Sequence, residues 1–299
     1  MNAETDNPTA GLSTAGVTVL GLGANVLLAM TKLAAGLTCG SQTIFADGLH
    51  SLSDLATDFA VLAGIRISGR PADESHPYGH RRVMTLVTAL VGAALMAAGA
   101  FVVWRAIGPV HHGQLRPEVR AALPLALACA SVVIKELLYR LTVRVGRRAG
   151  DTSVLANAWH HRSDALSSVA AAAGLSAVLL GGAKWQVLDQ VTAMILACFL
   201  AVVAWRIIRG AGDELMDRAP SRRVLEQIEQ AVGQTSGVRS FHAFRARKLG
   251  GMVEMDIHVQ VDPDLTVARG HDIATEVGQR VKDSCPTVIS VIVHVEPVE

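Results

Sequence analysis

Six apolar stretches, each long enough to cross a hydrocarbon layer of roughly 30 Å as about 20 helical residues, dominate this 299-residue chain. They run near Leu12–Leu37, Thr43–Ile67, Val83–Ile107, Ala121–Val145, Val154–Leu180 and Trp185–Ile208. In lipid every backbone polar group must be satisfied within its own segment, so these stretches predict helices. Turn formers and charges separate them: Thr38-Cys39-Gly40-Ser41, Gly69-Arg70-Pro71, Gly108-Pro109, Arg147-Arg148-Ala149-Gly150 and Gly181-Gly182. Residues 12–210 are therefore expected to form an all-α, six-helix transmembrane bundle. Met1–Thr9 is polar and lacks the basic start of a signal peptide, so the first stretch reads as a retained span behind a short cytoplasmic tail, 1–11.

The apolar excess stops near Gly210. Charged residues make up only 18% of the chain, against about a quarter in soluble domains, and residues 211–299 read as an ordinary water-soluble domain. A net charge of +1 argues against a nucleic-acid partner. Cys39, Cys129, Cys198 and Cys285 are widely spaced without a CxxC pair, which argues against a disulfide framework or thiolate cage. Arg66, Arg70, Arg81, Arg82, Arg140, Arg144, Arg147, Arg148, Arg206, Arg209 and Arg218 fall on one side of the bundle. The other side offers little beyond Lys184 and Arg116. The Arg-rich side is expected to face the cytoplasm, and with an even number of spans both termini lie there.

The tail alternates its periodicities. Ser221–Thr235 has helical spacing, with Ser221 as its expected cap. Val238–Lys248 and Val253–Asp262 read as strands around Gly250-Gly251, the second with Val253, Met255, Ile257, Val259 and Val261 on one face. Val267–Lys282 reads as a helix and Val288–Val295 as a strand. This αββαβ order predicts a small α+β, ferredoxin-like or metallochaperone-like domain, an open sheet with both helices on one face.

Ionisable side chains inside spans are costly and usually mark a pathway. Asp47, His50, Asp54 and Asp58 fall within an arc of about 80° on the second span. His160, His161 and Asp164 sit in the fifth. Ala46-Asp47-Gly48-Leu49-His50-Ser51-Leu52-Ser53-Asp54 aligns without gaps on Ala156-Asn157-Ala158-Trp159-His160-His161-Arg162-Ser163-Asp164. Two HxxxD faces opposed across a bundle would offer His50, Asp54, His160 and Asp164 to one ion, the N/O donor set that suits tetrahedral Zn²⁺. The competing reading is a pair of structural salt bridges. It is disfavoured by the matching frames, with no buried Lys or Arg expected to neutralise the carboxylates. Asp47 and Asp58, with Asn157 and His161 in the other repeat, are expected to support the ligands from outside. Asp73, His76 and His80 could bind a cation in the loop after the second span, although spacing alone favours a helix cap with exposed histidines. His242, His258, His271, His294 and Glu296 form a further candidate group in the tail.

These motifs, the loop His76-Pro77-Tyr78-Gly79-His80, and the six-span layout with its αββαβ tail resemble the cation diffusion facilitator family over nearly the whole chain, its zinc/iron branch in particular. The resemblance implies a homodimeric antiporter of the bacterial inner membrane that exports Zn²⁺, Fe²⁺, Mn²⁺, Co²⁺ or Cd²⁺ in exchange for protons, Zn²⁺ first and Fe²⁺ next. It implies a transport site at His50, Asp54, His160 and Asp164, a loop site at Asp73, His76 and His80, and a soluble-domain site at His242, His258, His271, His294 and Glu296, where Glu replaces a more familiar Asp. It also implies a charge contact between Arg82 and Asp217. A membrane metalloenzyme is the alternative, but the chain has no HExxH and four protein ligands would leave Zn²⁺ no open position. A membrane-anchored metal sensor would leave the carboxylates inside the spans unexplained.

Overall fold

The computed structural model describes residues 13–111, 119–150 and 152–298; the expected tail 1–11 and Arg116 lie outside them. Six long helices come first: α1 (Thr14–Thr38), α2 (Gln42–Ser68), α3 (Arg82–His111), α4 (Ala122–Ala149), α5 (Thr152–Gly181) and α6 (Val187–Leu215), with a 3-10 turn at Gly182–Trp185 before the last. The sixth continues past its expected end at Ile208 to Leu215. Then follow α7 (Arg222–Gly233), β1 (Ser240–Leu249), β2 (Met252–Val261), α8 (Val267–Ser284) and β3 (Val288–Pro297), the expected αββαβ order. Among the described residues five helices, α1 and α3 to α6, contain segments long and apolar enough to cross a membrane. The 27-residue α2 matches them in length, but Asp47, His50, Asp54 and Asp58 dilute its apolar content.

The chain divides into two compact units, Met1–Phe59 with Val91–Trp205, and Ala60–Leu90 with Arg206–Glu299. In the first unit Leu27, Leu180 and Phe199 are exposed, while Ala29, Ala128, Ala171 and Ala193 are fully buried. That is the pattern expected in lipid, where tails compete with Leu and close approach of small residues draws helices together. Gly48 makes one such approach: a Cβ there would stand 2.9 Å from the Leu33 nitrogen and from Cβ of Lys32. The start of α2 is capped from another helix. Asp189, fully buried near the start of α6, accepts from Ser41 Oγ and Gln42 N–H at 2.6 Å and from Thr43 N–H at 3.2 Å. A carboxylate there satisfies otherwise orphaned donors and complements the positive end of the helix dipole.

In the second unit the sheet has order β1-β2-β3, antiparallel between the first pair and parallel between the second. Val253, Met255, Ile257, Val259 and Val261 are all buried, as their alternation predicts. They pack with Ile228 and Val232 of α7 and Ile273, Val277 and Val281 of α8, so both helices cover one face. Ser221 stands at the cap position of α7, but its side chain makes no capping bond, contrary to expectation; its main-chain carbonyl accepts from Val224 and Leu225 instead. At the β1–β2 turn Gly250 has φ +58, and a Cβ would come within 2.9 Å of the Arg81 carbonyl oxygen, so only glycine fits. Its N–H donates to Glu214 Oε1 at 2.6 Å, and Thr85 Oγ1 donates to the same oxygen at 2.5 Å. One α6 carboxylate thus ties the hairpin to the start of α3.

Candidate metal centre

The HxxxD spacing places ligand atoms one turn apart on α2 and again on α5. His50, Asp54 and Asp164 each bring an atom into a group whose members lie within 4.8 Å of one another. His50 Nε2 is 3.8 Å from Asp54 Oδ2, and on α5 His160 Nε2 is 3.6 Å from Asp164 Oδ2. His160 is 47% exposed and stands beside the trio rather than inside it. His50 Nδ1 and Asp54 Oδ2 are buried without a hydrogen-bond partner among the described residues. Buried polar atoms are normally paired, so the unpaired Asp54 Oδ2 within a group of one imidazole and two carboxylates fits a cation with N/O preference.

Two expectations about the surroundings need correction. Buried lysines are present: Lys32 on α1 and Lys135 on α4, at 0% and 1% exposure. Lys32 Nζ lies 2.7 Å from Asp47 Oδ2 and donates to Ser168 Oγ at 3.0 Å. Asp47 also accepts from Ser167 and Ser168 of α5. It is therefore the anion of a buried ion pair joining α1, α2 and α5, and does not orient His50. Asp58 is exposed and Asn157 half-buried, and neither hydrogen-bonds a site histidine among the described residues. His161 is buried against Gly21 with neither ring nitrogen hydrogen-bonded among the described residues, its ring 6.4 Å from that of His160. None of the three braces a ligand by hydrogen bonding. Lys32 stands alone in an apolar run and Lys135 stands beside Glu136; helical spacing assigns each a face but no partner, which is why the pattern did not expose them.

The loop residues converge as expected. Asp73 Oδ1 accepts from Ser75 N–H and Oγ and from His76 N–H, at 2.7–3.0 Å. Asp73 Oδ2 stays free to face His80 Nε2 at 3.4 Å. The His76 and His80 rings are 4.3 Å apart. His80 Nδ1 lies 3.3 Å from the Pro71 carbonyl, a partner that leaves Nε2 available. The Ser75 hydroxyl first, then the His76 N–H and the charge of His80, hold the Asp73 carboxyl at about 2, below its ordinary 3.8.

On the sheet, strand register assembles the third group. His242, His258 and His294 are successive cross-strand partners over β1, β2 and β3. All three sit on the face opposite the helices, and Glu296 collects them: Oε2 lies 3.2 Å from His242 Nε2, and Oε1 lies 2.7 Å from His258 Nδ1 and 3.4 Å from His294 Nε2. His271, on α8, does not join them; it lines a cavity of about 440 Å³ with Glu296. Arg82 and Asp217 do pair, at 2.9 Å, with both side chains 46% exposed. Asp217 is shared with Arg247 at 3.4 Å, which in turn holds Glu254 at 3.1 Å.

Two family models match the chain, "Cation efflux transmembrane domain" over residues 18–216 and "Cation efflux protein, cytoplasmic domain" over 220–298. Among relatives, manganese efflux system protein MneP of Bacillus subtilis is 32% identical over 285 residues, covering 94% of this chain and 95% of that one. Magnetosome protein MamB of Magnetospirillum gryphiswaldense is 30% identical, covering 92% and 91%. Metal tolerance protein C1 of Arabidopsis thaliana is 33% identical over 93% of this chain, which spans 61% of that longer protein. A nickel form of the MamM CTD is 29% identical over 26% of this chain and all of that one, with a TM-score of 0.26.

Proposed function

The chain belongs to the cation efflux, or cation diffusion facilitator, family, and from that premise we propose that it exports a divalent transition-metal cation from the cytoplasm in exchange for protons. The observation that carries this reading is the convergence of His50, Asp54 and Asp164, with His50 Nδ1 and Asp54 Oδ2 lacking hydrogen-bond partners among the described residues, on two long helices of the matched transmembrane domain. His160 completes the set when the ion draws it in from its exposed position beside Asp164. Two imidazoles and two carboxylates suit Zn²⁺ first and Fe²⁺ next, while the relative MneP is named for manganese. Metal ligands must be deprotonated, so loading releases protons and protons from the far side expel the ion; alternating access about a fixed site connects the two sides. The loop trio and the histidine ladder would bind the same class of cation on the cytoplasmic side of a homodimer.

The test is metal uptake into sealed vesicles with a pH dye inside, run with Zn²⁺, Fe²⁺, Mn²⁺ and Cd²⁺ side by side. Uptake of at least one cation with an opposing proton movement is expected. Metal binding without movement across the bilayer would instead favour a membrane-anchored sensor.

A further inference from the structure

We propose that the outward face of the last turns of α4 is a binding site for an anionic phospholipid of the surrounding membrane.

The α4 helix is long and apolar enough to cross a membrane. Its 28 residues exceed the roughly 20 that span the hydrocarbon, which leaves its last turns for the headgroup layer. Ser131, Lys135, Leu138, Thr142 and Gly146 form its buried stripe. Arg140, Arg144, Arg147 and Arg148 are exposed, and at about 100° per residue they share an arc of about 100° on the opposite side. With Tyr139 and Val143 they line a groove of about 540 Å³. Aromatic rings of the kind that settle at a membrane interface flank it. The Tyr139 and Trp159 rings stand 5.4 Å apart, edge to face, and the Arg162 guanidinium lies over both.

This end of the helix is short of anions. Glu136 holds Arg140 at 2.8 Å and reaches Arg162 at 4.0 Å. Among the described residues no carboxylate lies within 4.0 Å of Arg144, Arg147 or Arg148. The helix dipole accounts for part of the row, since Arg147 and Arg148 sit in the last turn, at its negative end. That effect fades within one turn, and Arg140 and Arg144 lie further back. A guanidinium takes phosphate oxygens two at a time, and the row runs about 12 Å along the helix. What selects a lipid over a free anion is the surface below it. Val133 and Leu137 are exposed on the same arc, earlier in the helix, and offer an apolar track to an acyl chain. Phosphate above and hydrocarbon below is the layout of a phospholipid.

The competing role is a general one, in which these arginines only orient the span by their charge. A general role depends on the number of charges removed and a site on which ones. Purified full-length protein in nonionic detergent is given equimolar phosphatidylglycerol and phosphatidylcholine with matched chains, and retained lipid is counted by native mass spectrometry. Each basic side chain near an anionic lipid strengthens the attraction about fivefold. Arg144→Gln with Arg147→Gln is therefore expected to lower the preference for phosphatidylglycerol about thirtyfold. Arg206→Gln with Arg209→Gln removes the same charge from α6 and is expected to leave the preference unchanged. Should the first pair fail to assemble, Arg148→Gln alone is held to a loss of about fivefold. Equal losses from the two pairs, or an undiminished preference after the first, overturns the inference. Displacement of the lipid by inorganic phosphate or by oligoglutamate would assign the groove to a free anion or an acidic segment instead. A changed oligomeric state in the first pair would assign the face to a second copy of the chain, and each of these outcomes also overturns it. Lipid retention is read without metal, so the result is independent of the transport reading.

Discussion

In the C-terminal domain the fully buried side chains include Ile228, Val232, Ile257, Val259, Ile273, Val277 and Val281, whereas in the helical unit the two largest are Lys32 and Lys135. Water drives the first arrangement, since each apolar side chain removed from it contributes about 1.5–3 kcal/mol. Lipid tails supply no such drive between helices, so close contacts of small residues and paired polar groups hold the second. Stability in the helical unit is thereby concentrated in a few polar contacts: Lys32 with Asp47, and Asp189 with the start of α2. The candidate metal groups follow the same division. The transmembrane trio is enclosed, while the histidine ladder lies on the sheet face opposite α7 and α8.

The strongest test of that division is to remove an enclosed ligand. Asp54→Ala or Asp164→Ala is expected to abolish transport in the vesicle assay while the protein remains folded, because no neighbouring group can replace the lost anion. Retained transport by either variant would break the assignment. Next in size is the buried ion pair. Asp47→Leu alone leaves Lys32 uncompensated, at a cost of about 3–5 kcal/mol, whereas adding Lys32→Met should restore most of the loss, since well-packed apolar replacements of buried ion pairs are often neutral. Thermal unfolding of the single and double variants in detergent measures this. An additive double variant would show that the two charges are independent.

On the sheet the expected effect is smaller. His258 stands at the centre of the ladder, 2.7 Å from Glu296 and register partner to both other histidines. His258→Ala should weaken metal binding at that site by about 10–100-fold yet leave the transmembrane site able to transport. Isothermal titration of the full-length variant against wild type checks the affinity, and loss of transport equal to that of Asp164→Ala would contradict the separation. At the loop the effect is a shift in pH dependence. A carboxyl depressed in the folded state stabilises above its unfolded value near 3.8 and loses that contribution as pH falls through about 2. A carbon-detected titration of Asp73 should therefore show a midpoint near 2, and Ser75→Ala should raise it. A wild-type midpoint near 4 would mean that the turn is not formed in solution.

What the sequence revealed and what it concealed follow from the range of each interaction. Helix length and hydropathy are local properties, and all six long helices were visible in them. The alternation in β2 was equally local, and it assigned the face that Val253 to Val261 bury. The two HxxxD repeats marked their helices because i and i+4 side chains share a face whatever the helix packs against. Partner choice depends on helix rotation and on contacts distant in the chain. Asp47 had the sequence features of a supporting group for His50, but its partner Lys32 lies a whole helix away. Nothing around Asp189 in the sequence marks it as the group that caps the second helix. The repeat was also less symmetric than its alignment: Asp47 matches Asn157, and His160 is far more exposed than His50.

The smallest effect belongs to Arg82 and Asp217, and it tests whether half-exposed charges can do what buried ones do. The pair is well formed at 2.9 Å, but both side chains are 46% exposed, and such pairs contribute only about 0–1 kcal/mol. Asp217 also faces Arg247, so its charge serves two arginines. A simple exchange is then asymmetric. Asp217→Arg places three cations together, whereas Arg82→Asp still leaves Arg247 to hold Asp217. The first variant should therefore be the more damaging, and the double exchange should restore only the Arg82 half of the contact. Nearby, Glu214 ties Thr85 and Gly250 through much less exposed groups, so Glu214→Gln should cost more than Arg82→Asp. Thermal unfolding of these variants, with transport measured in parallel, ranks them. If Arg82→Asp exceeded Glu214→Gln in either measurement, the exposed contact would be contributing more than screened charges allow, and burial would not be what separates strong polar links from weak ones in this protein.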